Sequence, residues 1–128
     1  MIEEIQNNKK LDLCDELFAE TFVNHTPPPN IASDRNGMRQ LFAMTHIAFP
    51  DGRISVDDQI SNGCKVWTRK IFTGTHSGDF GNVPPTGKVI TYEVMDILAI
   101  EKGKLAEHWS LLDRLSLFKQ MGILDNYR

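Results

Sequence analysis

At Pro50-Asp51-Gly52 the spacing of apolar residues changes period, and few architectures accommodate such a change. Before it, Met38, Leu41, Phe42, Thr45, Ala48 and Phe49 recur at the i, i+3, i+4, i+7 spacing of one helix face. After it, Ile54, Val56 and Ile60 alternate with polar residues as a half-buried strand does. Helices first and hairpin-linked strands later imply α+β architecture. A curved antiparallel sheet with helices on its concave face satisfies both patterns. Bent around the long helix, such a sheet leaves a pocket open at one end, the kind that carries small ligands.

The remaining segments fit this plan. Ile2 and Ile5 share a face of a short helix from Met1 to about Asn8. Asp12 caps a second, running to Ala19, with Leu13, Leu17 and Phe18 toward a core. Phe22–Thr26 is extended, and Pro27-Pro28-Pro29-Asn30 forbids helix. Ser33 or Asp34 caps the long helix. Asn62-Gly63 is a tight hairpin signal, and Cys64 to about Thr75 is rich in β-branched and aromatic residues. Gly74–Gly87 holds four glycines and two prolines and so contains a loop. Val89–Ile100 and Leu105–Leu112 read as strands turned by Lys102-Gly103. Arg114–Met121 reads as a closing helix ended by Gly122.

A chain of 128 residues is the size of one domain, taken as 1–128. Fourteen Lys+Arg against 17 Asp+Glu give a charge of −3, so no basic excess exists to release counterions from nucleic acid. No apolar run approaches the ~20 residues that span a bilayer, so no membrane partner is expected. The N-terminus lacks a signal-peptide pattern, and Cys14 and Cys64 read as small buried hydrophobes of a reducing cytoplasm. There is no Gly-x-Ser-x-Gly elbow. His25, His46, His76 and His108 are scattered without metal-ligand spacing, so no metal site is expected.

Several residues could carry chemistry. Asp113 follows an apolar strand, and alternation puts Trp109, Leu111 and Asp113 on one face. A carboxylate beside a tryptophan in an apolar pocket is desolvated, which raises its pKa toward that of a general acid/base. Asp113 is equally well placed to cap the closing helix, and the two roles are compatible. His25 precedes the triple proline, as a proton shuttle or as a loop histidine bonded to backbone. His108 has the opposite parity, faces away from any pocket that Asp113 faces, and is a secondary candidate. Glu107 shares the parity of Asp113 but lies near the strand's start, in solvent. Asp96 interrupts Val94-Met95-Asp96-Ile97-Leu98 and is costly to bury alone. It needs backbone, an arginine such as Arg69, or a subunit partner, or it pairs with Asp113. Trp67, Tyr92, Met44 and Phe49 are core or pocket lining.

Read in order, Phe22-Val23-Asn24-His25-Thr26, Ala48-Phe49-Pro50-Asp51, Gly74-Thr75-His76-Ser77-Gly78, Pro84-Pro85-Thr86-Gly87-Lys88, Glu107-His108-Trp109, Asp113-Arg114-Leu115 and Gln120-Met121-Gly122 make a pattern. The pattern resembles the SnoaL-like polyketide cyclases of the nuclear transport factor two-like superfamily, over nearly the whole chain. The resemblance implies a cone-shaped α+β barrel, a curved antiparallel sheet wrapped around helices, paired as a homodimer through the sheet. It implies an intramolecular aldol condensation that closes a ring of an aromatic polyketide ester, with no metal and no organic cofactor. The family's acid/base aspartate at the end of the last long strand is matched by Asp113, and the position matched by His25 lines the same cavity. Asp113 would take a proton from carbon between two carbonyls, and His25 would hydrogen-bond a substrate oxygen.

The expectation is therefore a small cofactor-independent enzyme acting on a hydrophobic carbonyl compound by cyclisation or related lyase or isomerase chemistry. The alternatives are a noncatalytic ligand-binding or accessory module, and an interaction protein whose cavity its own side chains fill.

Overall fold

The computed structural model describes residues 1–123, and the backbone alone for residues 3 and 4. The chain enters through a single π-helical turn, Ile2–Asn7, and a 3-10 turn, Leu11–Leu13. There follow α1 (Cys14–Leu17), β1 (Phe18–Asn24), α2 (Arg35–Ala48), β2 (Arg53–Asn62), β3 (Lys65–Thr75), β4 (Val89–Glu101), β5 (Lys104–Leu112) and α3 (Arg114–Met121). The architecture is α+β, a five-stranded curved sheet in the order β1-β5-β4-β3-β2.

Helix α2 forms as its apolar stripe dictates. Asp34 caps it, accepting from Gly37 N at 2.9 Å, and Gly37, Met38, Phe42 and Ala48 are buried. A Cβ on Gly37 would stand 1.9 Å from the carbonyl oxygen of Ala32, so only glycine lets the preceding loop lie against the helix. The two-residue turn Lys102-Gly103 has φ of 52° and 77°, the left-handed pair that a tight hairpin requires. Asp113 caps α3 by accepting from Ser116 N at 3.0 Å, and Gly122 ends it at φ 79°.

Two apolar clusters hold the helices to the sheet. Ile5, Cys14, Phe18, Phe22, Met38 and Phe42 form one, with Phe18 and Phe22 edge to face at 4.6 Å. Ala48, Phe49, Phe72, Ile90, Leu117 and Met121 form the other, with Phe49 and Phe72 edge to face at 5.1 Å. The space between them is not filled, and the site lies there.

Three expectations are corrected. The helix expected over Asp12–Ala19 is a 3-10 turn and one short α-turn, because Phe18 already pairs with Leu105 of β5. Strand pairing overrides the local helical spacing. The sheet is not wholly antiparallel, since β1 runs parallel to β5. Cys14 is buried, but Cys64 sits exposed in the hairpin turn; both are free thiols. Among the described residues no helix is long and apolar enough to cross a membrane.

Candidate active site

Alternation along three neighbouring strands sorts their side chains onto two faces. The concave face presents Lys70 and Phe72 from β3, Tyr92, Val94 and Asp96 from β4, and His108, Ser110 and Leu112 from β5. With Leu41, Phe42 and Thr45 of α2 and the Asn24–Pro28 segment they enclose a cavity of about 550 Å³. The convex face presents Trp67, Met95, Ile97 and Trp109, which line a second hollow of about 430 Å³ that shares Thr26, Asp96, Ser110 and Leu111 with the first.

Three buried polar side chains meet at the cavity wall. Lys70 Nζ lies 2.5 Å from Asp96 Oδ2, and His108 Nε2 faces the same oxygen at 3.8 Å. Asp96, Lys70 and His108 are 3%, 3% and 7% exposed, so water screens none of them well. Neither Asp96 Oδ1 nor Oδ2 makes a hydrogen bond of ordinary geometry among the described residues; Oδ2 has the ion pair with Lys70. Burial pushes the Asp96 carboxyl upward, but the facing His108 ring and the Lys70 ammonium outweigh it and hold the pKa below the usual aspartate value. Asp96 is therefore a buried carboxylate whose charge is met by the Lys70 ion pair and whose two oxygens both lack a hydrogen bond.

The far side of the imidazole is fixed. Asn24 Oδ1 accepts from Thr26 N at 3.1 Å and stands 3.1 Å from His108 Nδ1. Thr26 Oγ1 in turn accepts from Ser110 N at 2.9 Å, tying β1 to β5. An amide oxygen already accepting one N–H leaves Nδ1 as the donor, so Nε2 is the nitrogen free to take and give a proton. Tyr92 also lines the cavity, and burial pushes its phenol up to about 12, so it stays protonated.

The candidates named from sequence divide between the two faces. Phe49, Tyr92 and Asp96 line the cavity. His108 does too, which corrects the parity argument: the chain leaves the sheet after Leu112, so strand alternation does not extend to Asp113. Asp113 is exposed, caps α3, and is not among the residues lining the cavity. Trp67 and Trp109 lie on the convex face, and Met44 is half-buried on α2 and lines neither hollow. His25 points outward, its ring stacked on Trp109 at 4.5 Å and its Nε2 3.0 Å from Glu107 Oε1. Its neighbours Asn24 and Thr26 face the cavity instead.

Lys70 and Asn24 were not singled out in the sequence. The signal for Lys70 was the unpaired charge of Asp96, which demanded a cation of matching parity on the next strand. Arg69, the arginine suggested for that role, faces outward and pairs with Asp57 and Glu93. Among the described residues no group of three or more His, Cys, Asp or Glu could hold a metal ion.

A curved sheet closed over helices, with a buried carboxylate, ammonium and imidazole at one wall of its cavity, defines a class of small cone-shaped α+β proteins. The sequence profile of the family "SnoaL-like polyketide cyclase" matches residues 1–121, and the chain belongs to that family. IdmH, "a putative polyketide cyclase" from Streptomyces antibioticus, is 32% identical with a TM-score of 0.80, over 93% of this chain and 91% of that one. A "putative polyketide cyclase" from Bacillus cereus is 28% identical with a TM-score of 0.81, over 93% of this chain and 74% of that one. AclR, "a putative hydroxylase" from Streptomyces galilaeus, is 25% identical with a TM-score of 0.84, over 98% of this chain and 82% of that one. No curated protein matches the chain in sequence.

Proposed function

We propose that this chain is an acid/base enzyme that needs no organic cofactor and closes a ring in a hydrophobic carbonyl compound by intramolecular aldol chemistry. The observation that carries the reading is the buried Asp96 carboxylate, with no hydrogen bond on either oxygen, paired with Lys70 Nζ and facing His108 Nε2 at the cavity wall. Asp96 Oδ1 takes the proton from a carbon flanked by two carbonyls. The electron pair becomes an enolate, which attacks a second carbonyl carbon of the same molecule. The His108 imidazolium gives its Nε2 proton to the new alkoxide, and the hydroxyl so formed relays a proton from the Asp96 acid back to His108. No proton is consumed overall. Lys70 keeps Asp96 anionic at rest and offsets the enolate charge. Positioned proton transfer of this kind contributes about 10²–10⁴ in rate, and folding a flexible substrate into the reactive geometry contributes more.

In this assignment Asp96 takes the role that the family resemblance gave to Asp113, because a general base must reach the proton it removes. The reading is tested without the natural substrate. Cyclic 1,3-dicarbonyls and flat aromatic polyketides are incubated with the protein in D₂O, and loss of the α-proton is followed by NMR. Exchange faster than the buffer rate supports the enzyme. Tight binding with no exchange returns the alternative, a noncatalytic ligand-binding module.

We further propose that a second copy of the chain covers the convex face. Met95 is 53% and Leu111 77% exposed there, beside Trp67, Ile97 and Trp109. Lys65, Arg69, Glu93 and Glu107 supply both charge signs to the same strands, as a self-complementary two-fold contact needs. Sedimentation of wild type as a dimer and of Met95→Glu as a folded monomer supports this; a monomeric wild type contradicts it.

A further inference from the structure

We propose that Lys70 is itself a covalent catalytic residue, whose ε-amine forms a Schiff base with a ketone or aldehyde seated in the cavity. The proposal rests on the preceding reading only in taking Asp96 as the group that moves the α-proton.

Lys70 is the one buried lysine of the chain; Lys9, Lys10, Lys65, Lys88, Lys102, Lys104 and Lys119 are exposed or half-buried. A lysine on a strand interior needs a reason, since the ammonium is costly to desolvate. Its ammonium carries three N–H bonds. One faces Asp96 Oδ2 at 2.5 Å, and Gln6 Oε1 lies at the outer limit of hydrogen bonding, 3.5 Å away. Lys70 lines the cavity, and no other partner for its ammonium is found among the described residues. Asp96 Oδ2 is the acceptor nearest the ammonium; because that carboxyl is held below its usual value, the hop runs uphill and is completed only as the C–N bond forms. The hop replaces an ion pair by a neutral amine and a neutral acid, a change that a low-dielectric wall opposes far less than water does. Phe42, Phe49, Phe72 and Val94 supply an apolar part of the cavity lining, which also includes Gln6, Thr45, His46 and Arg114.

The steps balance. Lys70 Nζ gives a proton to Asp96 Oδ2 and its lone pair forms a C–N bond to the carbonyl carbon. The C=O π pair moves to oxygen, which takes the proton back from Asp96. The adduct's extra ammonium proton passes to Asp96 Oδ2, the His108 imidazolium protonates the hydroxyl, the nitrogen lone pair expels water, and that water relays the proton from the Asp96 acid back to His108. The product is a protonated imine. Its α-proton passes to Asp96 Oδ1, giving an enamine that attacks the second carbonyl. One water returns in hydrolysis, which restores Lys70. Relative to a simple enolate, the iminium is the stronger electron sink, so the α-carbon need not lie between two carbonyls. The substrate class widens to monoketones and aldehydes with an apolar body.

The test uses pentane-2,4-dione, which converts an amine to a conjugated enaminone with a near-ultraviolet band. The intact protein is titrated near neutral pH, and the adduct is located by peptide mass. The expected result is one saturable equivalent per chain, mapped to Lys70, and loss of the band in Lys70→Arg. No band at saturation, or adducts on the exposed lysines alone, overturns the proposal even if Lys70→Arg fails to fold, because the mapping is done on wild type. If Asp96-dependent α-proton exchange persists in a wild type that gives no adduct, the acid/base reading stands and this one falls. A Lys70 adduct without α-proton exchange leaves the Schiff base and removes the other.

Discussion

His108 Nδ1 and Asn24 Oδ1 are 3.1 Å apart, and this contact decides which ring nitrogen meets the cavity. Asn24 cannot turn its amide around, because its oxygen also receives the Thr26 N–H at 3.1 Å. The ring is thereby held with Nε2 toward Asp96 Oδ2, at 3.8 Å. That separation is too long for a direct hydrogen bond.

Imidazole nitrogen NMR reads this directly. At a pH where His108 is neutral, its Nδ1 is expected to carry the proton. A neutral ring protonated at Nε2 would contradict the fixed orientation of Asn24.

The Asp96 carboxyl, held below its usual value, links folding to acidity. A carboxyl depressed in the folded state contributes stability that is fully present above the unfolded aspartate value, about 3.9. That stability is lost as pH falls from there through the depressed folded value. Asp15 and Asp51 are also held low, by Arg39 and by Thr75 respectively, so part of the acid limb remains in any Asp96 variant. The expected outcome is that melting temperature falls less steeply below about pH 4 in Asp96→Asn than in wild type. Parallel slopes would show that Asp96 is not held low.

Tyr92 carries the opposite sign. Its phenol is raised to about 12, so the folded state holds a proton that the unfolded chain releases near 10. Stability should decline as pH rises through that window. Absorbance titration should show a late tyrosinate step near 12 that disappears in Tyr92→Phe. Ionisation of Tyr92 near 10 would mean that its phenol is solvated.

Asp113 offers a control with a different cause. Removing an N-cap acceptor costs about 1 kcal/mol. Asp113→Ala should therefore lower the melting temperature by a few degrees while α-proton exchange in the folded enzyme stays unchanged. A variant as stable as wild type would contradict the cap seen at Ser116 N.

Much of the fold was legible because its signals are local. The stripe from Met38 to Phe49, the turn at Lys102-Gly103 and the stop at Gly122 each depend on a few neighbouring residues, whereas the Asn62-Gly63 signal fell one residue early, the turn being Gly63-Cys64. The family pattern, too, was readable from short motifs in order. The site was less legible, because alternation says which residues share a face and not which face is inside. On β5, Trp109 lines only the convex hollow and is more apolar than His108, which lines only the cavity. Hydrophobicity therefore pointed to the wrong side. The convex face is apolar enough to pass for a core until the helices are seen to pack on the other. Asp96 was noticed for the cost of burying it, but its partner lies on another strand, where Thr68 is paired with Asp96 and Lys70 sits two residues along. No local pattern joins those two positions. The parallel pairing of β1 with β5 is equally nonlocal, and it is what brings Asn24 to His108.

The most direct measurement is α-proton exchange on a 1,3-dicarbonyl in D₂O by Asp96→Asn and Asp113→Asn side by side, each shown to be folded and to bind the probe. The account predicts that Asp96→Asn loses about 10²-fold or more in rate while Asp113→Asn retains the wild-type rate. Loss of exchange in Asp113→Asn with full activity in Asp96→Asn would contradict it and return the acid/base role to the end of the last strand.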